Sequence, residues 1–261
     1  MKNYLLNFVF AALLLVNFAC QPKGPRTGEW YPLFNGKDLK NWDIKFTNHE
    51  LGENYKNTFS VEDGLLKVSY DNWDTYEPVF GHLIYKGDFS HYRLRAEYRF
   101  VGEQIAGGPE WAARNNGLMI HCQAAKSIPL DQAFPVSIEV QLLGGDGINE
   151  RSNMNVCTPG THILLNGERM TQHCIDSKAK TYHGEQWVSV EVEVRGAEII
   201  RHLIDGEVVL EYSQPQLDAD DPQYEKLLPA DGNPLLKNGS IALQAESHPT
   251  QFRKVEIMLL D

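Results

Sequence analysis

The stretch "RLRAEYRF" (residues 93–100) alternates without a break, with Leu94, Ala96, Tyr98 and Phe100 on one side and Arg93, Arg95, Glu97 and Arg99 on the other. Period-two patterning of this kind suits a strand with one buried face and does not gather apolar groups on one side of a helix. Comparable runs recur at 59–61, 65–69, 82–85, 92–100, 116–123, 136–143, 188–194, 198–204, 207–212, 240–246 and 253–260, and no segment sustains a helical period beyond a couple of turns. Asp63-Gly64, Arg195-Gly196 and Asp205-Gly206 each stand between two runs, where glycine accepts the positive φ that tight hairpins demand. Many short strands, such turns and no helices to cover a parallel sheet predict an all-β, antiparallel two-sheet sandwich or jelly roll. Residues 144–184, rich in Gly, Asn, Thr, Ser and His, read as a long loop region, and the Pro- and Asp-rich residues 213–239 as a surface excursion.

The chain of 261 residues is long enough for one large all-β domain with a real core. Its formal charge of −11 comes from 24 Lys and Arg against 35 Asp and Glu, with no basic cluster interleaved with aromatics, so nucleic acid is excluded as a partner class. At the N-terminus Lys2 precedes an apolar run over residues 4–18, and Ala19 precedes Cys20. The run is short for a membrane span and resembles a bacterial lipoprotein signal in which Cys20 is lipidated; an ordinary cleaved signal peptide is the alternative. The expected division is therefore a signal over 1–20, a Pro- and Gly-containing tether over 21–29, and a single domain over 30–261. The corresponding location is the cell envelope of a diderm bacterium, held to the membrane only by lipid. In that oxidising setting Cys157 and Cys174 are expected to pair and Cys122 to be a buried thiol, and no Cys/His spacing indicates zinc.

Three strands carry polar residues that are expected to share one side of a sheet. In "NNGLMIHCQ" (115–123) alternation puts Asn115, Met119, His121 and Gln123 opposite Asn116, Leu118, Ile120 and Cys122. In "SIEVQLLGG" (137–145) Glu139 and Gln141 stand about 7 Å apart along the strand. "SIALQAESHP" (240–249) adds Gln244, Glu246 and His248. The charged side of "RLRAEYRF" reads most simply as a solvated face of ion pairs, although Glu97 remains a possible ligand group. Amides and imidazoles exceed what solubility needs, and with Trp73 and Trp111 at loop ends they form the kind of face that grips a sugar: donors and acceptors for hydroxyls, rings for C–H edges.

Taken in order, "LFNGKDLKNW" (33–42), "FSVEDGLLKV" (59–68), "KGDFSHYRLRAEYRF" (86–100), "NNGLMIH" (115–121), "IEVQLL" (138–143) and "GSIALQAESHPTQFRKVEI" (239–257) resemble the segments of the 3-keto-disaccharide hydrolase family. The resemblance implies a two-sheet jelly roll of the concanavalin A-like lectin and glucanase type. Asn116 stands where the family commonly has serine and His121 where arginine often follows, and residues 144–184 are longer and richer in Cys and His than the resemblance leads one to expect.

Glucanases of that fold set their acids on one strand as Glu-x-Asp-x-x-Glu, whereas here Glu139-Val140-Gln141-Leu142-Leu143-Gly144 keeps one acid. The usual double displacement is therefore unsupported. A ketone at C3, implied by the resemblance, acidifies the C2 hydrogen, so that one base can start the loss of the C1 oxygen. The expected assignment makes Glu139 the base or the residue that orients it, with Glu246 as the rival base, and His121 or His248 the acid for the leaving oxygen. Asn115, Gln141, Gln244, Glu97 and Trp111 contact the sugar. A divalent ion polarising the ketone is an alternative, with His121, Glu139, Glu246 and His248 as conceivable ligands. The rival function is a non-catalytic carbohydrate-binding surface lipoprotein, which needs the amides and aromatics but no carboxylate; a scaffold role is a third reading. The oligomeric state is not readable from the sequence.

Overall fold

The computed structural model describes residues 24–261, so the expected signal, Cys20 and residues 21–23 of the tether lie outside the described residues. Two antiparallel sheets pack face to face. The seven-stranded sheet runs Cys174–Ile175, Asn155–Cys157, Ile138–Leu143, Asn115–Cys122, Ser240–Ala245, Gly81–Tyr85, Trp42–Phe46. The ten-stranded sheet runs Glu168–Met170, Thr161–Leu165, Glu207–Leu217, Ile199–Ile204, Val188–Arg195, His91–Phe100, Thr250–Leu259, Leu65–Val68, Phe59–Glu62, and Tyr31–Pro32 adds to Thr250–Leu259. Hairpin neighbours alternate with strands distant in sequence, as where His91–Phe100 lies between Val188–Arg195 and Thr250–Leu259 and Ser240–Ala245 between Asn115–Cys122 and Gly81–Tyr85. Among the described residues the α-helical content is the single short turn Tyr224–Leu227, and no helix is long and apolar enough to cross a membrane.

Alternation builds the core. Tyr92, Leu94, Ala96, Tyr98 and Phe100 of one sheet meet Leu118, Ile120, Val140, Leu142, Ile241 and Leu243 of the other in one continuous apolar layer. Each fully buried Leu or Ile there contributes roughly 1.5–3 kcal/mol. The opposite side of His91–Phe100 is a ladder of ion pairs: Arg93 with Glu193 at 2.9 Å, Arg95 with Glu256 at 2.5 Å, and Glu97 with Arg253 and with Lys254 at 2.9 Å. Glu97 thus lies on the outer face of the sheet that does not carry Glu139, which corrects its assignment as a sugar contact. Alternation reveals that a strand has a polar side, but not which sheet that side belongs to.

Asp63 and Gly64, and likewise Asp205 and Gly206, all take positive φ between directly paired strand ends, the backbone of two-residue type I′ hairpins. Gly196 begins a three-residue connection instead, since Arg195 pairs with Ile199. Residues 144–184 differ from expectation, because four short strands, Asn155–Cys157, Thr161–Leu165, Glu168–Met170 and Cys174–Ile175, lie within them. Pieces of two to five residues at sheet edges are too short to show a period.

One irregularity changes a candidate site residue. His121 has φ of 47°, and the pairing of Asn115–Cys122 with Ser240–Ala245 slips there, Cys122 facing Ser240 while Met119 faces Ala242. The bulge inserts a residue, and every side chain beyond it changes face. Cys122 consequently joins Met119, Ile84, Ala125, Ile128 and Ala242 in a small second cluster, and His121 turns the other way, its Nε2 3.1 Å from the Gly196 carbonyl oxygen. Gln123 is buried as a clasp, donating to Ser127 O at 2.9 Å and accepting from Gln132 Nε2 and the Val136 amide.

Candidate active site

The exposed side of the seven-stranded sheet collects the remaining polar residues. Met119 pairs with Glu139, Gly117 with Gln141 and Asn115 with Leu143, and these residues share a face because the pairing before the bulge is regular. Glu139 faces Cys157 and Gln141 faces Asn155 on the next strand. Asn155 Nδ2 donates to Gln141 Oε1 at 3.4 Å, while its own Oδ1 accepts from Ser152 Oγ and the Ser177 amide, both at 2.9 Å. Asn155 is thereby held on three sides and in turn orients Gln141. Gly117 leaves the space that the site needs: a Cβ there would come within 2.4 Å of Gln244 Oε1 and 2.8 Å of Glu139 Cγ. The Gln244 amide and the Glu139 carboxyl therefore meet over a residue without a side chain.

A cavity of about 390 Å³ opens on this face, lined by Glu139, Glu246, Asn115, Gln141 and Arg151 together with Trp111, Phe134, Pro159, His173, Cys157 and Cys174. Its floor is deep, with Glu139 6%, Glu246 4% and Asn115 3% exposed, whereas Trp111 at the rim is 50% exposed. Glu139 Oε1, Glu246 Oε2 and Asn115 Oδ1 have no hydrogen-bond partner in the protein. Buried polar atoms are rarely left so, and here they point to a polar ligand. Burial pushes the Glu139 carboxyl up to about 8, and the Gln244 amide draws it back. Glu246 is raised well above the usual carboxylate range, first by burial and then by the charge of Glu139, with Arg151 opposing. Two deeply buried carboxyls in one cavity thus hold on to a proton between them near neutral pH.

Arg151 fixes the cation. Its Nη2 donates to Trp111 O at 2.9 Å and its Nη1 to Ala113 O, so one guanidinium ties the Trp111 segment to the cavity wall. Cys157 and Cys174 face each other across neighbouring strands and are joined, and the bridge forms the wall beside Glu139. Arg151, His173, Phe134, Asn155 and Pro159 escape a reading by periodicity because they sit in or beside the irregular segments.

Two expected participants stand elsewhere. His121 packs toward the opposite sheet and lines a different cavity, which removes it from the acid role. His248 lines an adjoining cavity that shares Trp111 and Arg151 with the first, so it too stands apart from the carboxyl pair. The conceivable metal set of His121, Glu139, Glu246 and His248 is not assembled. Among the described residues the one cluster close enough to hold an ion is Cys157, His173 and Cys174, whose two sulfurs are already bonded to each other. Trp73 is buried, with Nε1 donating to Thr58 Oγ1 at 2.9 Å, and does not reach the site.

A two-sheet jelly roll with amides, paired carboxyls and an exposed tryptophan on one face defines a carbohydrate-active protein. The chain belongs to the family described as 3-keto-alpha-glucoside-1,2-lyase-like, whose model matches residues 29–258. Among solved structures it is similar to a candidate glycosyl hydrolase from Parabacteroides distasonis, at 17% identity and a TM-score of 0.51 over 89% of this chain and 100% of that one. It is also similar to a protein of unknown function with a galectin-like fold from Bacillus subtilis, at 10% identity and a TM-score of 0.50 over 91% and 99% of the two chains. A third likeness is to an endo-acting O-glycanase of the human gut microbiota, at 15% identity and a TM-score of 0.51 over 90% and 100%. At these identities the likeness is one of fold. No curated protein matches the chain.

Proposed function

We propose that the protein cleaves 3-keto-glycosides by removing the proton next to the ketone and expelling the C1 oxygen. The observation that carries this reading is the buried carboxyl pair, Glu139 and Glu246, both raised above the usual carboxylate range by burial in one cavity. Glu139 takes the C2 proton as general base, and the electron pair moves into the C2–C3 enolate. Arg151 supplies fixed positive charge at the cavity wall as that negative charge develops. The enolate collapses back to the ketone, C1=C2 forms, the C1–O bond breaks, and Glu246 gives its proton to the departing oxygen. Glu139 exchanges the abstracted proton with solvent, and water adding at C1 with a solvent-derived proton delivered to C2 completes a hydrolysis. Asn115 and Gln141 bind hydroxyls, Gln244, fully buried behind the cavity, orients the Glu139 carboxyl, and Trp111 covers a sugar face.

The acid role passes from histidine to Glu246 because neither His121 nor His248 lines the carboxyl cavity. Two acids in one cavity also support a second reading, a conventional glycosidase acting on unoxidised sugars. The same face could instead hold a glycan without cleaving it. Glu139→Gln separates these roles. Cleavage of a 3-keto-glucoside, measured as released alcohol, should fall at least a hundredfold in Glu139→Gln with sugar binding retained. Wild-type rates in that variant would remove Glu139 from the mechanism, and binding without any cleavage in the wild type would make the protein a binding module. The proposal includes export, with Cys20 as a lipid anchor to the cell envelope. A fatty-acid label that Cys20→Ser fails to abolish would refute the anchor.

A further inference from the structure

The row of side chains that carries Glu139 continues past it. Glu139 faces Cys157 on one neighbouring strand and Cys157 faces Cys174 on the next, so one carboxyl and two sulfurs stand side by side on the cavity face. His173 lines the same wall, and its imidazole nitrogen and the two sulfurs all lie within 4.8 Å of one another. The ring is neutral at physiological pH, because burial lowers its pKa more than the Thr158 backbone raises it. Two sulfurs and a neutral imidazole are the donors that soft and borderline divalent ions select.

The three donors are held together by more than the bond between the sulfurs. The His173 carbonyl accepts from the Thr158 amide at 2.9 Å and from Thr158 Oγ1 at 3.2 Å, and the Cys174 carbonyl accepts from Gln172 Nε2 at 2.7 Å. Further on, the Ser177 amide donates to Asn155 Oδ1 at 2.9 Å and Ser177 Oγ donates to Asn153 O at 2.5 Å. Opening the disulfide therefore leaves the edge strand Cys174–Ile175 docked. A tetrahedral zinc site, with bonds of about 2.3 Å to sulfur and about 2.0 Å to nitrogen, sets its donors about 3.5–3.8 Å apart, a spacing that rotation of two freed thiols reaches. Cys122 offers the contrast: burial drives its thiol well above the ordinary range, and among the described residues it belongs to no such group of donors.

We propose that reduction converts the Cys157–Cys174 bridge into a binding site for a thiophilic divalent cation such as zinc, with both thiolates and His173 as ligands and Glu139 beside the fourth position. A dithiol or phosphine reductant gives two electrons to the disulfide. The S–S bond breaks and two thiols form, while the dithiol closes to its own disulfide or the phosphine becomes its oxide with oxygen from water. The cation then displaces both thiol protons to solvent as its bonds to sulfur form. Oxidation reverses the exchange and expels the ion, so this wall is either a disulfide or a metal site. Cation binding does not rest on the keto-glycoside reading, but its consequence does: a cation that takes the Glu139 carboxylate as its fourth ligand removes the base, and cleavage stops.

Cobalt is the spectroscopic probe, because thiolate ligation gives it a charge-transfer band in the near ultraviolet and a tetrahedral field gives it strong visible bands. The purified protein, reduced with a phosphine in the absence of oxygen, should take up one cobalt per chain with both sets of bands, and zinc should displace it. The oxidised protein should show neither. Cys157→Ser combined with Cys174→Ser should abolish the bands, and His173→Ala should weaken binding about tenfold or more. Zinc should raise the melting temperature of the reduced protein and leave that of the oxidised protein unchanged. No thiolate band in the reduced wild type, or the same band in the double serine variant, overturns the proposal. If the serine variant does not fold, the reduced and oxidised wild type and the His173→Ala affinity decide. Zinc should also stop cleavage of a 3-keto-glucoside by the reduced protein alone, with chelator restoring it, and cleavage at the metal-free rate with the site loaded overturns the role given to Glu139. Cobalt bands in a protein that cleaves no keto-glycoside would sink the reaction while leaving the metal site standing, and cleavage without the bands does the reverse.

Discussion

Gly117→Ala should cost far more activity than stability. Gly117 is not at positive φ, so alanine meets no backbone obstacle, and alanine is the smallest possible intrusion on the site. Its Cβ would stand 2.4 Å from Gln244 Oε1 and 2.8 and 2.9 Å from Glu139 Cγ and Oε1, closer than unbonded atoms tolerate. Gln244 is fully buried and Glu139 nearly so, which leaves both side chains little room to withdraw except into the cavity. Overpacking of this kind costs about 1–3 kcal/mol, or about 2–12 °C in Tm at the sensitivity of a domain this size. A carboxylate moved by about 1 Å from its working position loses about a hundredfold in rate. Thermal melts and steady-state cleavage on the same preparation measure both. A variant with wild-type kcat, or one that simply unfolds, would refute the claim that Glu139 and Gln244 are set by the absence of a side chain at residue 117.

The raised pKa of Glu139 makes stability depend on pH. A carboxyl that binds its proton more tightly when folded contributes fully below its unfolded pKa of about 4.3, and stability falls as pH rises toward the folded value, by at most about 1.4 kcal/mol per pH unit. Urea unfolding of wild type and Glu139→Gln should therefore diverge in favour of the variant from pH 5 to pH 8; a constant difference contradicts the burial argument. The Cys157–Cys174 bridge closes a loop of sequence separation 17, and replacing both cysteines should cost about 3 kcal/mol, with reductant bringing the wild type down to the same level. Equal stability with and without reductant would count against it. Glu97→Gln should change stability by no more than about 1 kcal/mol and leave cleavage intact, since its partners are Arg253 and Lys254 on the outer face. A large loss of activity there would return Glu97 to the site.

How far the site could be read from the chain depends on where alternation is regular. Asn115, Gln141, Glu139 and Gln244 fall on one face because nothing interrupts the ladder between Asn115 and Ile120, and two-residue periodicity carries straight into space. His121 stands one residue into a bulge, and a single inserted residue exchanges the two faces, an event with no signature in hydrophobicity. Glu97 obeys its pattern but belongs to the other sheet, which alternation cannot say. Arg151 and His173 come from irregular backbone between short strands, where position is set by hydrogen bonds such as Arg151 to Trp111 O rather than by period. His248 has the right strand neighbours but lies past the end of Ser240–Ala245, on a bend that carries it around Trp111 into the next cavity.

The central claim is that bond cleavage begins with loss of the C2 proton. Incubating the protein with a 3-keto-glucoside in deuterated water, and examining the released 3-keto sugar by NMR, tests it directly. The account predicts deuterium at C2 in each product molecule, and its disappearance together with turnover in Glu139→Gln. Product released with its original hydrogen at C2 would contradict it, and would assign Glu139 and Glu246 to direct displacement at C1.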